Sequence, residues 1–241
     1  MNLRLALIGQ SIGHSKSECI YRELLAGSGV NLSYQMLDCA TSVDIPSLAE
    51  LGDRFDGVSI TSPYKRFFFD KVKIVPNDTG IELPSINCLR WSNQGETEGT
   101  SGDLVAIDCL VQQINSAKRF SHFVIMGDGA MSILLQKYLA HHKMSYRVYS
   151  RRILDGQDQL SRGKFYYRDG IDHLACVVWV NCCSRQFLYQ GPLGKDDLFW
   201  DLNYNSKLQR DYVLSTGADY LDGQSMLKLQ AADALRFWGI P

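Results

Sequence analysis

The chain has 241 residues, of which 45% are hydrophobic and 21% charged, with 20 glycines and 6 prolines. This composition is typical of a globular protein and excludes the disordered, collagen-like and fibrous classes. The 25 basic residues are balanced by 26 acidic ones, and the formal net charge of −1 supplies no basic field to hold nucleic acid. We therefore expect one large or two modest domains and no nucleic-acid partner.

The apolar segments are too short for a membrane protein. The most apolar run, Leu174–Val180, falls far short of the ~20 residues that span a bilayer, and Leu3–Ile8 is too short for a signal peptide. The 7 cysteines and 5 histidines show no zinc-ligand spacing, which predicts reduced thiols and no metal site. Together these features predict a cytoplasmic protein that binds no membrane.

Apolar runs of strand length alternate with stretches of helical periodicity. This alternation predicts an α/β fold with largely parallel sheets. The predicted strands are Leu3–Ile8, Leu32–Leu37, Gly57–Thr61, Ile86–Trp91, Phe123–Met126, Tyr146–Tyr149, Lys164–Tyr167, Cys176–Asn181 and Leu198–Leu202. The predicted helices span residues 16–27, 46–53, 103–117, 130–142 and 224–238.

A polar, turn-rich segment at Ser92–Gly102 precedes the helix predicted from residue 103, and we place a domain boundary there. The last predicted helix carries apolar residues at helical spacing, namely Met226, Leu227, Leu229, Ala232, Leu235 and Trp238. An amphipathic helix of this kind has to dock on another element.

A glycine loop follows the predicted strand Phe123–Met126. Gly127 permits a tight turn, Gly129 allows pyrophosphate to approach the backbone, and the helix that begins at Ala130 presents its N–H groups to an anion. The third glycine position holds Ser132, so the match is GxGxxS, and a plain tight turn remains an alternative. Asp128 either opposes the pyrophosphate or turns back to cap the helix.

The next predicted strand ends in Ser150-Arg151-Arg152. A fold that binds NAD places an acidic residue near this point, on the ribose 2′-hydroxyl, whereas arginines suit the 2′-phosphate of NADP. The sequence therefore predicts NADP, with two solvated surface arginines as the alternative.

Several short motifs follow one another along the whole chain. They are IGQSIGHSKS at 8–17, GVSITSPYK at 57–65, SINCL at 85–89, SGD at 101–103, DLNY at 201–204, GQSMLKLQ at 223–230 and FWG at 237–239. In this order the first six resemble the GxPIxHSxSP, GxNVTxPxK, AVNTL, NTD, DxxY and GxxMLxxQ motifs of the shikimate dehydrogenase family, and FWG closes the series. The departures from the family pattern, which indicate a divergent member, lie at Glu18, Ser59, Ser101, Gly102, Ala106, Asp128 and Ala130.

The resemblance implies two α/β domains. Residues 1–103, completed by 224–241, would form the substrate-binding domain, and residues 104–223 would form a Rossmann-type NADP-binding domain. The residues expected to bind the cofactor are Gly127, Gly129, Ala130, Ser150, Arg151 and Arg152. The resemblance leaves open whether the chain is a monomer or a homodimer.

The resemblance also implies a reaction, the interconversion of 3-dehydroshikimate and shikimate by hydride transfer. Lys65 would supply the proton to the developing alkoxide and Asp103 would orient it, which suits a lysine ammonium beside a carboxylate. The residues expected to bind the ring acid are Ser15, Ser17, Thr61, Asn87, Tyr204 and Gln230. Taken singly, Ser15 or Ser17 also fits a helix N-cap, and His14 is expected to order the turn rather than to catalyse.

Two functions remain open. The first is an NADP-dependent oxidoreductase acting on shikimate or a close ring hydroxy acid such as quinate. The second is a catalytically silent paralogue that binds a ring acid or nucleotide as a sensor, which the weakened SGD and glycine-loop motifs suggest. The presence of both Lys65 and Asp103 favours the enzyme.

Overall fold

The structure is a computed structural model that describes residues 1–92, 95–117, 122–150, 176–204 and 206–240. It divides into two compact units, one of Met1–Ala106 with Leu227–Pro241 and one of Ile107–Met226. Both units are α/β, as predicted. No helix within the described ranges is both long and apolar enough to cross a bilayer.

The first unit is built on a six-stranded sheet. Its strands are β1 (Asn2–Gly9), β2 (Asn31–Asp38), β3 (Gly57–Ile60), β4 (Lys73–Ile74), β5 (Cys88–Trp91) and β6 (Thr97–Thr100), and their order is β2-β1-β3-β5-β6-β4. The helices are α1 (Ser17–Leu24), α2 (Leu48–Arg54), the start of α3 (Gly102–Ala117) and most of α6 (Gln224–Phe237), with short 3-10 turns at Ser42–Asp44 and Phe69–Lys71.

Strand β1 lies in the middle of the parallel part of this sheet, between β2 and β3. Its side chains from Leu5 to Ile8 are buried, as expected of a parallel strand covered on both faces. Strand β5 runs antiparallel to both of its neighbours, β3 and β6, whereas β4 pairs with β6 in parallel, so the sheet is mixed. Strand β6 falls inside the segment Ser92–Gly102 that the sequence presents as turn-rich, because its residues Thr97–Thr100 carry no apolar alternation.

The described residues of the second unit form a five-stranded sheet, and the pairings within it are parallel. Its elements are the rest of α3, β7 (His122–Met126), α4 (Ala130–His141), β8 (Tyr146–Tyr149), β9 (Val177–Asn181), β10 (Leu198–Asp201), α5 (Lys207–Ser215) and β11 (Asp219–Leu221). The strand order is β11-β10-β9-β7-β8, and the core is rich in aromatic side chains such as Trp179, Tyr189 and Phe199. The strand predicted at Lys164–Tyr167 lies outside the described residues.

Helix α6 completes the first unit. Trp238 follows the helix and donates its indole N–H to the main-chain oxygen of Leu89 at 2.9 Å, and its ring covers Gly57 so closely that a Cβ there would overlap it. Arg90 donates to the main-chain oxygen of Phe237 and lies over the Phe237 ring. The amphipathic helix therefore docks on strands β3 and β5.

Candidate active site

A buried ion pair is the central feature of the first unit. Lys65 donates from Nζ to Oδ2 of Asp103 at 2.6 Å, and the two side chains are only 11% and 2% exposed. Asp103 lies in the first turn of α3, where the helix dipole stabilises a carboxylate. The two residues expected to form a proton-transfer pair are therefore in contact.

The loop that carries Lys65 is fixed on both sides of it. The Tyr64 hydroxyl donates to the main-chain oxygen of Cys39 at 2.8 Å, and Phe68 is buried in the core. The Lys65 main-chain oxygen accepts the N–H of Ile86 at 3.0 Å. A lysine held by its neighbours in this way loses little further entropy when it acts on a substrate.

The side-chain amide of Asn87 has a defined orientation. Its Oδ1 accepts the N–H of Gly102 at 2.9 Å and the thiol of Cys88 at 3.3 Å. Burial raises the pKa of Cys88 far above its ordinary value, so the sulfur keeps its proton and donates. Both of these bonds use the amide oxygen, so Nδ2 is the group through which Asn87 could donate to another molecule.

Ser15 and Ser17 lie together at the entry to α1. The Ser15 hydroxyl donates to the Ser17 hydroxyl at 3.0 Å and accepts the Ser17 N–H at 3.2 Å. The N-cap position belongs to Lys16, which makes no side-chain capping hydrogen bond. The turn before them is tied down by Asp38, whose carboxylate accepts the N–H groups of Ser11 and Ile12.

Gln230 lies on α6 beside the start of α3. Its main-chain oxygen would be 3.0 Å from a Cβ at Gly102, and Asp233, one turn further along α6, would be 3.3 Å from the same atom. Glycine at position 102 therefore allows this close approach of the two helices. Thr61 is placed by its N–H, which donates to the main-chain oxygen of Ile8 at 2.8 Å.

The sequence reasoning missed two polar residues of this region. The hydroxyl of Ser101 is buried and has no hydrogen-bond partner among the described residues. Asp233 is half-buried, and burial raises the pKa of its carboxyl. For Asp233 the sequence holds one signal, its spacing of three residues from Gln230, which puts both on one face of a helix.

In the second unit the glycine loop joins β7 to α4. Gly127 has φ +110°, and a Cβ there would lie 3.0 Å from the backbone of Cys182. Gly129 is the N-cap of α4 and supplies no side-chain cap, and among the described residues nothing lies within 4 Å of a Cβ at this position. Ser132 is fully buried and occupies the third glycine position, where the helix packs closely.

The Asp128 side chain contacts the residue that follows strand β8. Its Oδ2 accepts the hydroxyl proton of Ser150 at 2.6 Å, across the ends of strands β7 and β8. The capping alternative for Asp128 stays a prediction. Arg151 and Arg152, expected to bind the 2′-phosphate, lie outside the described residues.

Tyr204 belongs to the second unit, where the Arg185 guanidinium lies 4.6 Å from its ring centroid. The start of its DLNY motif is fixed by Asp201, a buried carboxylate that accepts from Asn181, Asn203 and Tyr220. The role of Tyr204 in binding the ring acid stays a prediction.

Comparison with known proteins bears on the first unit most directly. Residues 7–81 match the family model of the shikimate dehydrogenase substrate binding domain. A shikimate dehydrogenase (NADP(+)) of Prochlorococcus marinus is 24% identical over 97% of this chain and 90% of its own.

Two solved structures show the fold. A Thermus thermophilus shikimate 5-dehydrogenase, in complex with NADP(H) and shikimate, has a TM-score of 0.76 at 20% identity and covers 98% of this chain and 93% of its own. A Corynebacterium glutamicum quinate dehydrogenase, in complex with NAD, has a TM-score of 0.74 at 20% identity and covers 99% of this chain and 94% of its own. The resemblance to the shikimate dehydrogenase family is confirmed.

Proposed function

We propose that this chain, a relative of the shikimate dehydrogenases, is an NADP-dependent oxidoreductase that interconverts 3-dehydroshikimate and shikimate or a closely related ring hydroxy acid. The buried pair of Lys65 and Asp103 is the observation that carries the proposal. Burying two charges is costly, and an ion pair of this kind often contributes little net stability. Stability alone therefore does not account for this buried pair, whereas a role in proton transfer does.

The glycine loop fits a dinucleotide. Gly127 makes the turn, and in the described part of the chain no atom lies within 4 Å of a Cβ at Gly129. Gly129 is the N-cap of α4 and has no side chain to cap it, so the N–H groups of the first turn suit a pyrophosphate. Gly127, Gly129 and Ala130 would hold the pyrophosphate, and Ser150, Arg151 and Arg152 would lie at the adenosine ribose. When bound, the nicotinamide supplies or accepts the hydride at the ring carbon.

Lys65 transfers the proton, and Asp103 positions Lys65. In the reducing direction the Lys65 ammonium donates a proton to the carbonyl oxygen as that oxygen gains negative charge, and the lysine is left neutral. In the oxidising direction the neutral amine takes the hydroxyl proton. Asp103 accepts a hydrogen bond from Nζ in either state, which keeps the nitrogen in place.

The polar groups of the first unit suit a ring with one carboxylate and several hydroxyls. Ser15 and Ser17 each bear a hydroxyl at the start of α1, where the helix dipole favours an anion. Asn87 offers a donor, and Thr61 and Gln230 can bind hydroxyl groups. We further propose that residues 1–103 with 224–241 form the substrate-binding domain and residues 104–223 the NADP-binding domain.

A direct assay tests the proposal. Purified protein is mixed with NADP⁺ or NAD⁺ and with shikimate or quinate, and the absorbance of the reduced cofactor is followed. We expect turnover with NADP⁺ and one of the two ring acids. Absence of turnover in all four mixtures, with shikimate binding still detectable by calorimetry, would refute the proposed oxidoreductase activity. It would favour a catalytically silent paralogue, the alternative that the substitutions at Ser101 and Gly102 suggest.

A further inference from the structure

Asp128 and Ser150 form a polar pair at one edge of the second sheet. Strands β7 and β8 are parallel neighbours with Met126 opposite Tyr149, so the loop after β7 and the residue after β8 leave the sheet side by side. The distance from Ser150 Oγ to Asp128 Oδ2 is 2.6 Å, and Ser150 is 1% exposed. A hydroxyl–carboxylate bond this short is charge-assisted and fixes the carboxylate beside the end of β8.

In a dinucleotide-binding fold, the end of the strand that corresponds to β8 contacts the adenosine ribose. In such folds the strand that follows the glycine loop and its helix ends at the adenosine ribose, where an acidic residue accepts the 2′-hydroxyl of NAD. Here the residue at the end of the strand is Ser150, and the glycine loop provides the acidic group through Asp128. The Asp128 carboxylate therefore lies beside the end of β8, as the acidic residue of an NAD-binding fold does, although it belongs to the glycine loop and not to the strand.

We propose that Asp128, held by Ser150, is a specificity-determining residue for the adenosine ribose and narrows the preference of this chain for NADP over NAD. The inference rests on the proposed function, since it presumes a nicotinamide dinucleotide on the glycine loop. A carboxylate accepts a hydrogen bond from a ribose 2′-hydroxyl, but it repels a 2′-phosphate of nearly two negative charges. This repulsion opposes whatever attraction Arg151 and Arg152 exert on the phosphate.

The test compares NADPH with NADH, which differ only in the 2′-phosphate. Binding of each to the full-length chain is measured by fluorescence titration without substrate, so the readout does not depend on turnover. Asp128→Asn keeps an oxygen that can accept from Ser150 and removes the charge. We expect the ratio of the NADH to the NADPH dissociation constant to rise by about tenfold or more.

Two further variants sharpen the test. Asp196→Asn removes one negative charge from an exposed position of the same unit and should leave the ratio unchanged. Asp128→Ser removes the charge with a smaller side chain and should shift the ratio in the same direction if Asp128→Asn does not fold.

Each failure points to a different error. If both cofactors bind and Asp128→Asn changes both dissociation constants by the same factor, Asp128 acts on the shared pyrophosphate and the inference is wrong. If the wild-type chain binds neither NADPH nor NADH, the cofactor named in the proposed function is wrong and the inference falls with it.

Discussion

Lys65 and Asp103 are joined by a 2.6 Å hydrogen bond in a setting where the carboxylate is only 2% exposed. The two residues are separated along the chain by strands β4, β5 and β6, and the pair forms because the Lys65 loop and the first turn of α3 meet beside the sheet. Breaking a buried pair by removing one partner leaves an uncompensated charge, which typically costs about 3–5 kcal/mol. Substitutions at Lys65 or Asp103 should therefore lower the free energy of unfolding as well as the reaction rate.

Lys65→Met keeps the bulk of the side chain and removes the charge and the proton. We expect the chemical step to slow by about 10²–10⁴, with a much smaller change in ring-acid binding, as measured by stopped-flow and calorimetry. Asp103→Asn should also slow turnover, and the double variant should lose less than the product of the two effects.

Lys73→Met is the matched control for Lys65→Met, because Lys73 pairs with Glu96 at 3.0 Å on the surface and an exposed pair contributes little. Wild-type turnover in Lys65→Met would exclude the proposed proton donor.

Gly102→Ala tests the close approach of α6 to α3. The added Cβ would lie 3.0 Å from the main-chain oxygen of Gln230, an atom that cannot rotate away, so α6 must shift by a few tenths of an ångström. We expect the KM for the ring acid to rise roughly three- to tenfold, while the melting temperature changes little. An unchanged KM would show that the position of Gln230 does not govern substrate binding.

The two glycines of the loop should respond differently to alanine. Gly127→Ala places a Cβ at φ +110° and 3.0 Å from the Cys182 backbone, so we expect a loss of stability of roughly 1–3 kcal/mol. Gly129→Ala meets no described residue within 4 Å and should leave the melting temperature unchanged while weakening NADPH binding. Equal effects of the two variants on stability would contradict this division of roles.

Arg151 and Arg152 give a prediction from the sequence alone. Losing a charge-assisted phosphate contact costs about 1.5–3 kcal/mol, so replacing both by alanine should weaken NADP binding by roughly ten- to a hundredfold and NAD binding much less. Titration with both cofactors checks this. An equal loss of affinity for NADP and NAD would show that the arginines do not bind the 2′-phosphate.

His122 should make the second unit sensitive to acid. Burial, with a smaller contribution from Arg147, lowers the pKa of His122 below its ordinary value of 6.5. The unfolded chain then binds a proton that the folded unit resists, so stability is complete above about pH 6.5 and falls as the pH drops towards the folded-state pKa. His122→Gln should flatten the melting temperature between about pH 5 and 7, whereas His141→Gln, on the exposed face of α4, should not.

The sequence predicts the strands of the buried sheets well because a buried parallel strand must be continuously apolar. Tyr146–Tyr149 matches β8 to the residue, and Phe123–Met126 misses only one residue of β7. It misses β4, β6, β11 and α5, because these elements are short or largely polar and carry no clear apolar pattern of their own.

The candidate site divides in the same way. Ordered motifs single out Lys65 and Asp103, whereas no local pattern shows that Gly102 fixes the Asn87 amide or that Asp128 turns to Ser150. Such contacts join residues far apart in the chain, and they depend on how the strands are paired.

The first unit is interrupted by the second, and this has a consequence for synthesis on the ribosome. Residues 1–106 emerge long before helix α6, yet Trp238 covers Gly57 and bonds to Leu89. At ~5–20 residues per second the intervening 107–226 take on the order of ten seconds to translate. During that interval the nascent sheet lacks its covering helix, so strands β3 and β5 expose apolar surface that a chaperone would protect.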